Sequence, residues 1–248
     1  MKVAITGSRG FIGGHLKERL KRDGHEITEW DLRVDKPIEE FELAGADYVV
    51  HLAAWADVRA SIEEPQKYWD NNVTNTTRIQ KHCYYNNVPL LYASSSCIHQ
   101  WWLSPYGISK KVNEETAYDK QVGLRFTTVY GEGARDTMLI GRLASGNIKY
   151  LTNHVRDFVH VDDVVDAIIL LMNSDIRLLK PAYDIGTGKG DVVSELGKIA
   201  GYTDLPVQGG DACEAQDNTA DISDMKALGW DPQVDVKQYL NQIKLNRK

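Results

Sequence analysis

The stretch ITGSRGFIGGHL, positions 5–16, constrains this chain more than any other. Gly7, Gly10 and Gly13 recur at every third position between the apolar run KVAIT and the helical pattern FIGGHLKERLKRDG, which Gly24 closes. A helix that follows such a turn begins with amide N–H groups that lack partners inside it, at the positive end of its dipole. Glycines let the backbone turn tightly and let a phosphate approach those amides. The pattern implies an N-terminal βαβ unit whose first turn cradles a dinucleotide pyrophosphate. Asp31 ends the next strand-like run, 18 residues after Gly13. A carboxylate there accepts hydrogen bonds from an adenosine ribose and repels a 2′-phosphate, which favours NAD over NADP. Arg33, two residues on, argues the other way, because an arginine can pair with a 2′-phosphate.

The alternation continues along the chain. HEITEW, ADYVVHLAA, VPLLYAS and VGLRFTTVYG read as strands. YVVHLAA and PLLYAS are nearly continuous apolar runs, as strands covered on both faces are. Helical patterns fall at about 66–86, 106–120, 161–173, 191–200 and 234–246. Strands alternating with helices imply right-handed crossovers, so the expected fold is α/β, a doubly wound parallel sheet. After residue 131 the chain is less regular and richer in Gly, Asn and Asp, which points to a small C-terminal lobe. We expect residues 1–130 to form the nucleotide-binding domain and 157–186 to return to it. Segments 131–156 and 187–248 would then build the smaller lobe.

Composition narrows the function classes. The 248 residues are 42% hydrophobic and 26% charged, ordinary for a globular protein, with a net charge of −6. That charge argues against a nucleic-acid or anionic-membrane surface, and no apolar run is long enough to span a bilayer. Cys83, Cys97 and Cys213 lie far apart without metal-ligand spacing. The opening MKVAITGSRG lacks a secretory signal's longer apolar run, so a reducing cytoplasm is the expectation.

Tyr106 and Lys110 stand four apart in SPYGISKKVNEE, where a helix begins. Residues at that spacing share a helix face. A phenol ordinarily loses its proton near pH 10, and a neighbouring ammonium would stabilise the phenolate. The pair alone is a weak signal. The cluster Ser94-Ser95-Ser96 strengthens it, because it ends the preceding strand, where ligands bind in open α/β sheets. A serine hydroxyl there can hydrogen-bond a reacting oxygen and relay its proton to Tyr106.

Together these stretches resemble the NAD-dependent sugar-nucleotide epimerase/dehydratase family of extended short-chain dehydrogenases/reductases, its UDP-glucose 4-epimerase-like members above all. The similar pieces run nearly end to end: TGSRGFIGGHL, DYVVHLAA, NNVTNTTRI, YASSS, YGISK, LRFTTVYG, RDFVHVDDVVDAI, YDIGTGKG and DISDMKALGWDP. The resemblance implies a Rossmann-type fold with NAD as cofactor. It makes Tyr106 the catalytic acid/base, with Lys110 lowering its pKa and holding the nicotinamide ribose. Ser95 would be the catalytic hydroxyl, with Ser96 next. Gly7, Arg9, Gly10, Phe11, Ile12 and Gly13 would surround the pyrophosphate, with Asp31 and Arg33 beside the adenosine ribose. Leu52, Ala53 and Ala54 would line the pyrophosphate and nicotinamide region, and Asn72 would be a structural or cofactor contact. On the substrate side, Arg156 resembles the arginine that grips a nucleotide diphosphate, joined by Ser96, Thr128 and Arg135.

The implied reaction removes a sugar hydroxyl proton through Tyr106, usually at C4, while NAD accepts the hydride. The ketosugar turns over before the hydride returns. The resemblance also implies a homodimer that pairs the 66–86 and 106–120 helices. Several positions depart from the family pattern. Only eleven positions separate Ser95 from Tyr106, so part of a substrate-covering loop is absent. Trp101 and Trp102, in what remains, would either stack on substrate or cap the core. Thr128 and Asp184 each stand where Asn is common. Ser96 and Cys97 replace the Asp-Glu pair of the 4,6-dehydratases. SSCI is instead similar to GDP-fucose synthase and other C3/C5 epimerases, in which that cysteine is an acid/base. Their second acid/base is missing between Gly131 and Ile148, so Cys97 reads better as a small buried residue, with His99 a possible substitute. The expected function is C4 epimerisation of a nucleotide-activated sugar. The alternatives are C3/C5 epimerisation, keto-sugar reduction, or a non-catalytic NAD-binding protein. His51 reads as a satisfied strand-end histidine. Asp162 and Asp163 read as caps of the helix that begins there rather than metal ligands.

Overall fold

The computed structural model describes residues 1–246. β1 (Lys2–Thr6) runs through the glycine turn into α1 (Phe11–Arg22). β2 (Glu26–Trp30) and β3 (Tyr48–His51) then pair in parallel on either side of β1. The helix expected at 66–86 is built from successive segments: α2 (Val58–Glu63) precedes it, then come α3 (Pro65–Tyr68), a π-helical stretch Trp69–Asn75 and α4 (Thr76–Tyr85). β4 (Leu90–Ser95) passes through a 3₁₀ stretch, Ser96–Leu103, into α5 (Pro105–Glu115). β5 (Gln121–Phe126), β6 (Thr128–Tyr130), α6 (Leu139–Ser145), β7 (Leu151–Thr152) and β8 (Val155–His160) follow. The chain ends with α7 (Val161–Asn173), β9 (Ala182–Ile185), β10 (Gly190–Val192), α8 (Val193–Ile199), β11 (Val207–Gln208), α9 (Ser223–Ala227) and α10 (Val236–Asn246).

The main sheet has the order β2-β1-β3-β4-β5-β9, with every pair parallel. The chain steps outward from β1 to β2 and then returns across β1 to β3. The crevice at the carboxyl ends of β1 and β3 is therefore the topological switch point, where such sheets bind ligands. Alternation along each strand divides the core. Val3 and Ile5 of β1 join Leu16, Val50, Leu91 and Ile168 on one face, while Ala4 joins Val49, Leu90 and Ile79 on the other. Each fully buried Leu or Ile contributes roughly 1.5–3 kcal/mol.

A third cluster, with Tyr130, Leu143, Leu151, Leu196 and Leu240, lies among the later elements. β6, β8 and β10 form one small sheet there, and β7 pairs with β11. Residues 220–230 differ from the sequence expectation. Ala220, Ile222, Met225 and Trp230 pack into the main core rather than the later cluster, because α9 lies against β9. The cap of α7 also differs. His160 caps it, its Nδ1 accepting from the Asp162 amide at 3.3 Å. Asp163 instead accepts from the Gln233 and Val234 amides at 2.9 and 3.0 Å, pinning the segment before α10. Among the described residues, no helix is long and apolar enough to cross a membrane, and no His, Cys, Asp or Glu group could hold a metal ion.

Candidate active site

The glycine turn is closed too tightly for any other residue. Gly7 has φ +68°, and a Cβ there would lie 2.8 Å from the Ala53 amide. A Cβ on Gly13 would collide with the Gly7 carbonyl. Gly10, the N-cap of α1, offers no side-chain cap, and the first turn holds no acid. The start of the helix thus presents amide donors to an anion. The Asp31 carboxylate accepts from the Arg9 and Arg33 amides, each at 3.0 Å, and keeps lone pairs for a ribose. This tight cradle fits the pyrophosphate and ribose of NAD.

Ser104 caps α5 by accepting from the Gly107 amide at 3.0 Å, and Pro105 occupies the first turn, so the helix begins at Tyr106's doorstep. Tyr106 and Lys110 are 7% and 2% exposed. The Lys110 ammonium lies 5.8 Å from the Tyr106 ring centroid and donates to the Ala93 carbonyl at 2.8 Å. Ser95 ends β4 beside the Tyr106 phenol and pulls its pKa down. Ser95 Oγ also accepts from the Cys97 amide at 3.2 Å. The structure therefore brings Tyr106, Lys110 and Ser95 together. Cys97 borders them, and burial pushes its thiol up.

Burial dominates the protonation of this pair. Burial pushes the Tyr106 phenol above its ordinary value, outweighing the Ser95 hydrogen bond and the Arg135 guanidinium, which pull it down. Burial also brings the Lys110 ammonium down to about 8.

A continuous cleft of about 1910 Å³ joins the glycine turn to this cluster and to Arg156. Single small-molecule sites usually measure about 300–1,000 Å³, so there is room for two ligands. Arg9, Arg33, Leu52 and Ala54 line its cofactor end; Ser96, Thr128, Arg135 and Arg156 line the other. Arg156 donates to the Ala215 carbonyl at 2.8 Å and the Glu214 carboxylate at 3.0 Å. Arg59 meets the same carboxylate at 2.9 Å from α2.

Other positions lie elsewhere. Asn72 is buried and ties the Trp55 backbone, accepting from its amide and donating to its carbonyl, both at 2.9 Å. It is a strut under the cleft rather than a cofactor contact. His51 sits buried between the Thr6 and Thr76 hydroxyls at 2.6 and 2.8 Å. His99 bonds Asp184 at 2.7 Å and is outside the cleft lining. Trp101 and Trp102 neither stack on the cleft nor cap the core. They pack edge to face at the surface, with Trp102 61% exposed.

Sequence reading missed Arg59, Glu214 and Asn218. Asn218 donates to Ser96 at 3.4 Å and to Thr128 at 3.3 Å, and its Oδ1 accepts from the Asp157 amide. No local motif marks these residues. They reach the site from distant segments, and only the tertiary fold joins them.

The chain belongs to the NAD dependent epimerase/dehydratase family, whose model matches residues 3–186. It is an NAD-dependent enzyme of the nucleotide-sugar epimerase/dehydratase type. A relative named putative UDP-glucose 4-epimerase, from Methanocaldococcus jannaschii, is 27% identical over 303 aligned positions, covering 97% of this chain and 96% of the relative. Those positions outnumber the 248 residues here, so the relative carries interior stretches that this chain lacks. MoeE5, solved with UDP-glucuronic acid and NAD, is 28% identical with a TM-score of 0.86, covering 100% of this chain and 99% of its own. TunA, an NAD-dependent NDP-hexosamine 5,6-dehydratase of tunicamycin biosynthesis, is 25% identical with a TM-score of 0.85, covering 100% and 98%.

Proposed function

We propose that the chain epimerises a nucleoside-diphosphate hexose at C4. The observation that carries this reading is the Tyr106, Ser95 and Lys110 cluster at the carboxyl end of β4, in one cleft with the glycine turn. Tyr106 takes the C4 hydroxyl proton while Ser95 holds the reacting oxygen. Lys110 sits one turn along α5, positioned for a ribose hydroxyl. NAD, when bound, accepts the carbon-bound hydride and returns it. Arg156 and Arg59 face the diphosphate, and the wide cleft leaves the ketosugar room to turn between the two hydride transfers.

The hexose class follows from Arg135. Its guanidinium acts on both the Tyr106 and Tyr68 phenols, so a positive charge borders the reactive end. A sugar carboxylate would pair with it. MoeE5 has been solved both with UDP-glucuronic acid and with UDP-glucose, so the preference here rests on Arg135. We therefore favour a hexuronic acid nucleotide. A second reading rests on Cys97, whose sulfur borders Tyr106 and Lys110. As a thiol held protonated by burial it could return a proton beside the keto carbon, as C3/C5 epimerisation requires. NMR of the product distinguishes the two: inversion at C4 alone supports the first reading, inversion at C3 or C5 the second.

We further propose that the chain dimerises through the 65–85 helical segment and α5. Trp69, Tyr84 and Tyr85 of that segment are exposed, which supports a covered face in solution. Light scattering at the mass of a monomer would contradict it.

A further inference from the structure

We propose that Glu29 is a second determinant of cofactor choice: it holds the Arg9 guanidinium away from the adenosine 2′ position and so keeps the site selective for NAD. Glu29 and Asp31 are two residues apart at the end of β2, which turns both toward the glycine loop. Glu29 lies 2.8 Å from Arg9 Nε and 3.4 Å from Lys17 Nζ, and accepts from Ser8 Oγ at 3.1 Å. Burial pushes its carboxyl up, but Lys17, Ser8 and Arg9 together hold it below the usual carboxylate range, so it is charged.

The charges at this corner make the case. Arg9, Lys17 and Arg33 bring three cations into the cofactor end of the cleft. Such a set, arginines above all, suits a phosphate. Each is committed inside the protein instead. Glu29 takes the side chains of Arg9 and Lys17, while the Arg33 guanidinium donates to the Arg9 carbonyl. Asp31 takes only the backbone amides of Arg9 and Arg33, so it does not restrain the Arg9 side chain. The guanidinium of Arg9 is partly exposed and rests on a less exposed carboxylate. Neutralising Glu29 would leave Arg9, Lys17 and Arg33 against Asp31 and the more exposed Glu18, and free Arg9 to fork onto a 2′-phosphate.

The test measures binding of the adenosine half alone, using 5′-AMP and adenosine 2′,5′-bisphosphate, which differ only in the 2′-phosphate. Calorimetry would be run on full-length protein freed of co-purified nucleotide. Glu29→Gln should tighten the bisphosphate by about tenfold and leave 5′-AMP within about threefold. Glu29→Asp, which shortens the reach to Arg9 but keeps a charge beside Lys17, should give a smaller gain and covers the case in which the glutamine variant does not fold. Adding Arg9→Gln to either variant should abolish the gain. Unchanged bisphosphate affinity in a folded Glu29 variant would overturn the proposal. So would a gain that survives Arg9→Gln. Asp31→Asn should weaken 5′-AMP; an unchanged value would place the adenosine elsewhere and sink the idea.

Discussion

Lys110 Nζ lies 5.8 Å from the centre of the Tyr106 ring and donates to the Ala93 carbonyl at 2.8 Å, buried to 2% exposure. Burial brings this ammonium from its ordinary 10.5 down to about 8. A charge kept in such a place costs stability, and the protein carries it for the site.

Replacing Lys110 with Met should therefore stabilise the fold at pH 7 while abolishing turnover. The pKa shift corresponds to about 3 kcal/mol, less about 1 for the lost hydrogen bond, for a net gain of about 2 kcal/mol. The sign follows from the protons bound. Below about pH 8 both folded and unfolded wild type carry the lysine proton, and the penalty is complete. Between about 8 and 10.5 the unfolded chain holds the proton more tightly, so this group's contribution to stability rises with pH. Urea unfolding at pH 7 and at pH 10.5 checks this: the advantage of the variant should shrink toward zero at the higher pH.

His51 acts in the acid range. Enclosed by Thr6 and Thr76, it is pushed by burial from 6.5 to about 3, with Lys110 adding to the shift. The unfolded chain gains its proton below pH 6.5 and the folded chain only near 3, so stability falls as pH falls through that window. The contribution is roughly 5 kcal/mol. Unfolding curves of His51→Gln should be lower at neutral pH yet flatter between pH 6.5 and 4. A slope equal to that of wild type would rule out His51 as its source.

Asn218 orders the two hydroxyls of Ser96 and Thr128 from outside any motif. Asn218→Ala should lower kcat about tenfold with a smaller change in KM, because positioning matters most in the transition state. Asn218→Asp, which retains the size but withdraws the donor, should behave alike. Steady-state kinetics with a thermal melt separates this from a general loss of fold.

Arg135 governs the choice of sugar in the reading we favour. Arg135→Ala should raise KM for a nucleoside-diphosphate hexuronic acid about tenfold or more and change the neutral hexose little. Equal effects on both substrates would move Arg135 from the sugar to the diphosphate.

The fold was largely legible because its signals are local. The glycine spacing, the alternating apolar runs and the boundaries of α7 at Val161–Asn173 all follow from short-range periodicity. Tyr106, Lys110 and Ser95 were legible because a helix start and a strand end carry them. Asp163 was misread as a cap because its true partners, Gln233 and Val234, lie about seventy positions away. Segment 220–230 was misplaced for the same reason: its apolar residues could serve either core, and only the docking of α9 on β9 decides. The depth at which Tyr106 is buried was not legible, because spacing shows a neighbouring charge but not the burial around it.

The most direct test of the central claim is turnover of a panel of UDP-, GDP-, dTDP- and CDP-hexoses and hexuronic acids, followed by mass spectrometry and NMR, with Tyr106→Phe as the control. The account predicts a product of unchanged mass inverted at C4, formed without added reductant, strongest for a hexuronic acid and absent with the variant. Loss of one water, dependence on added NADH, or turnover that survives Tyr106→Phe would contradict it.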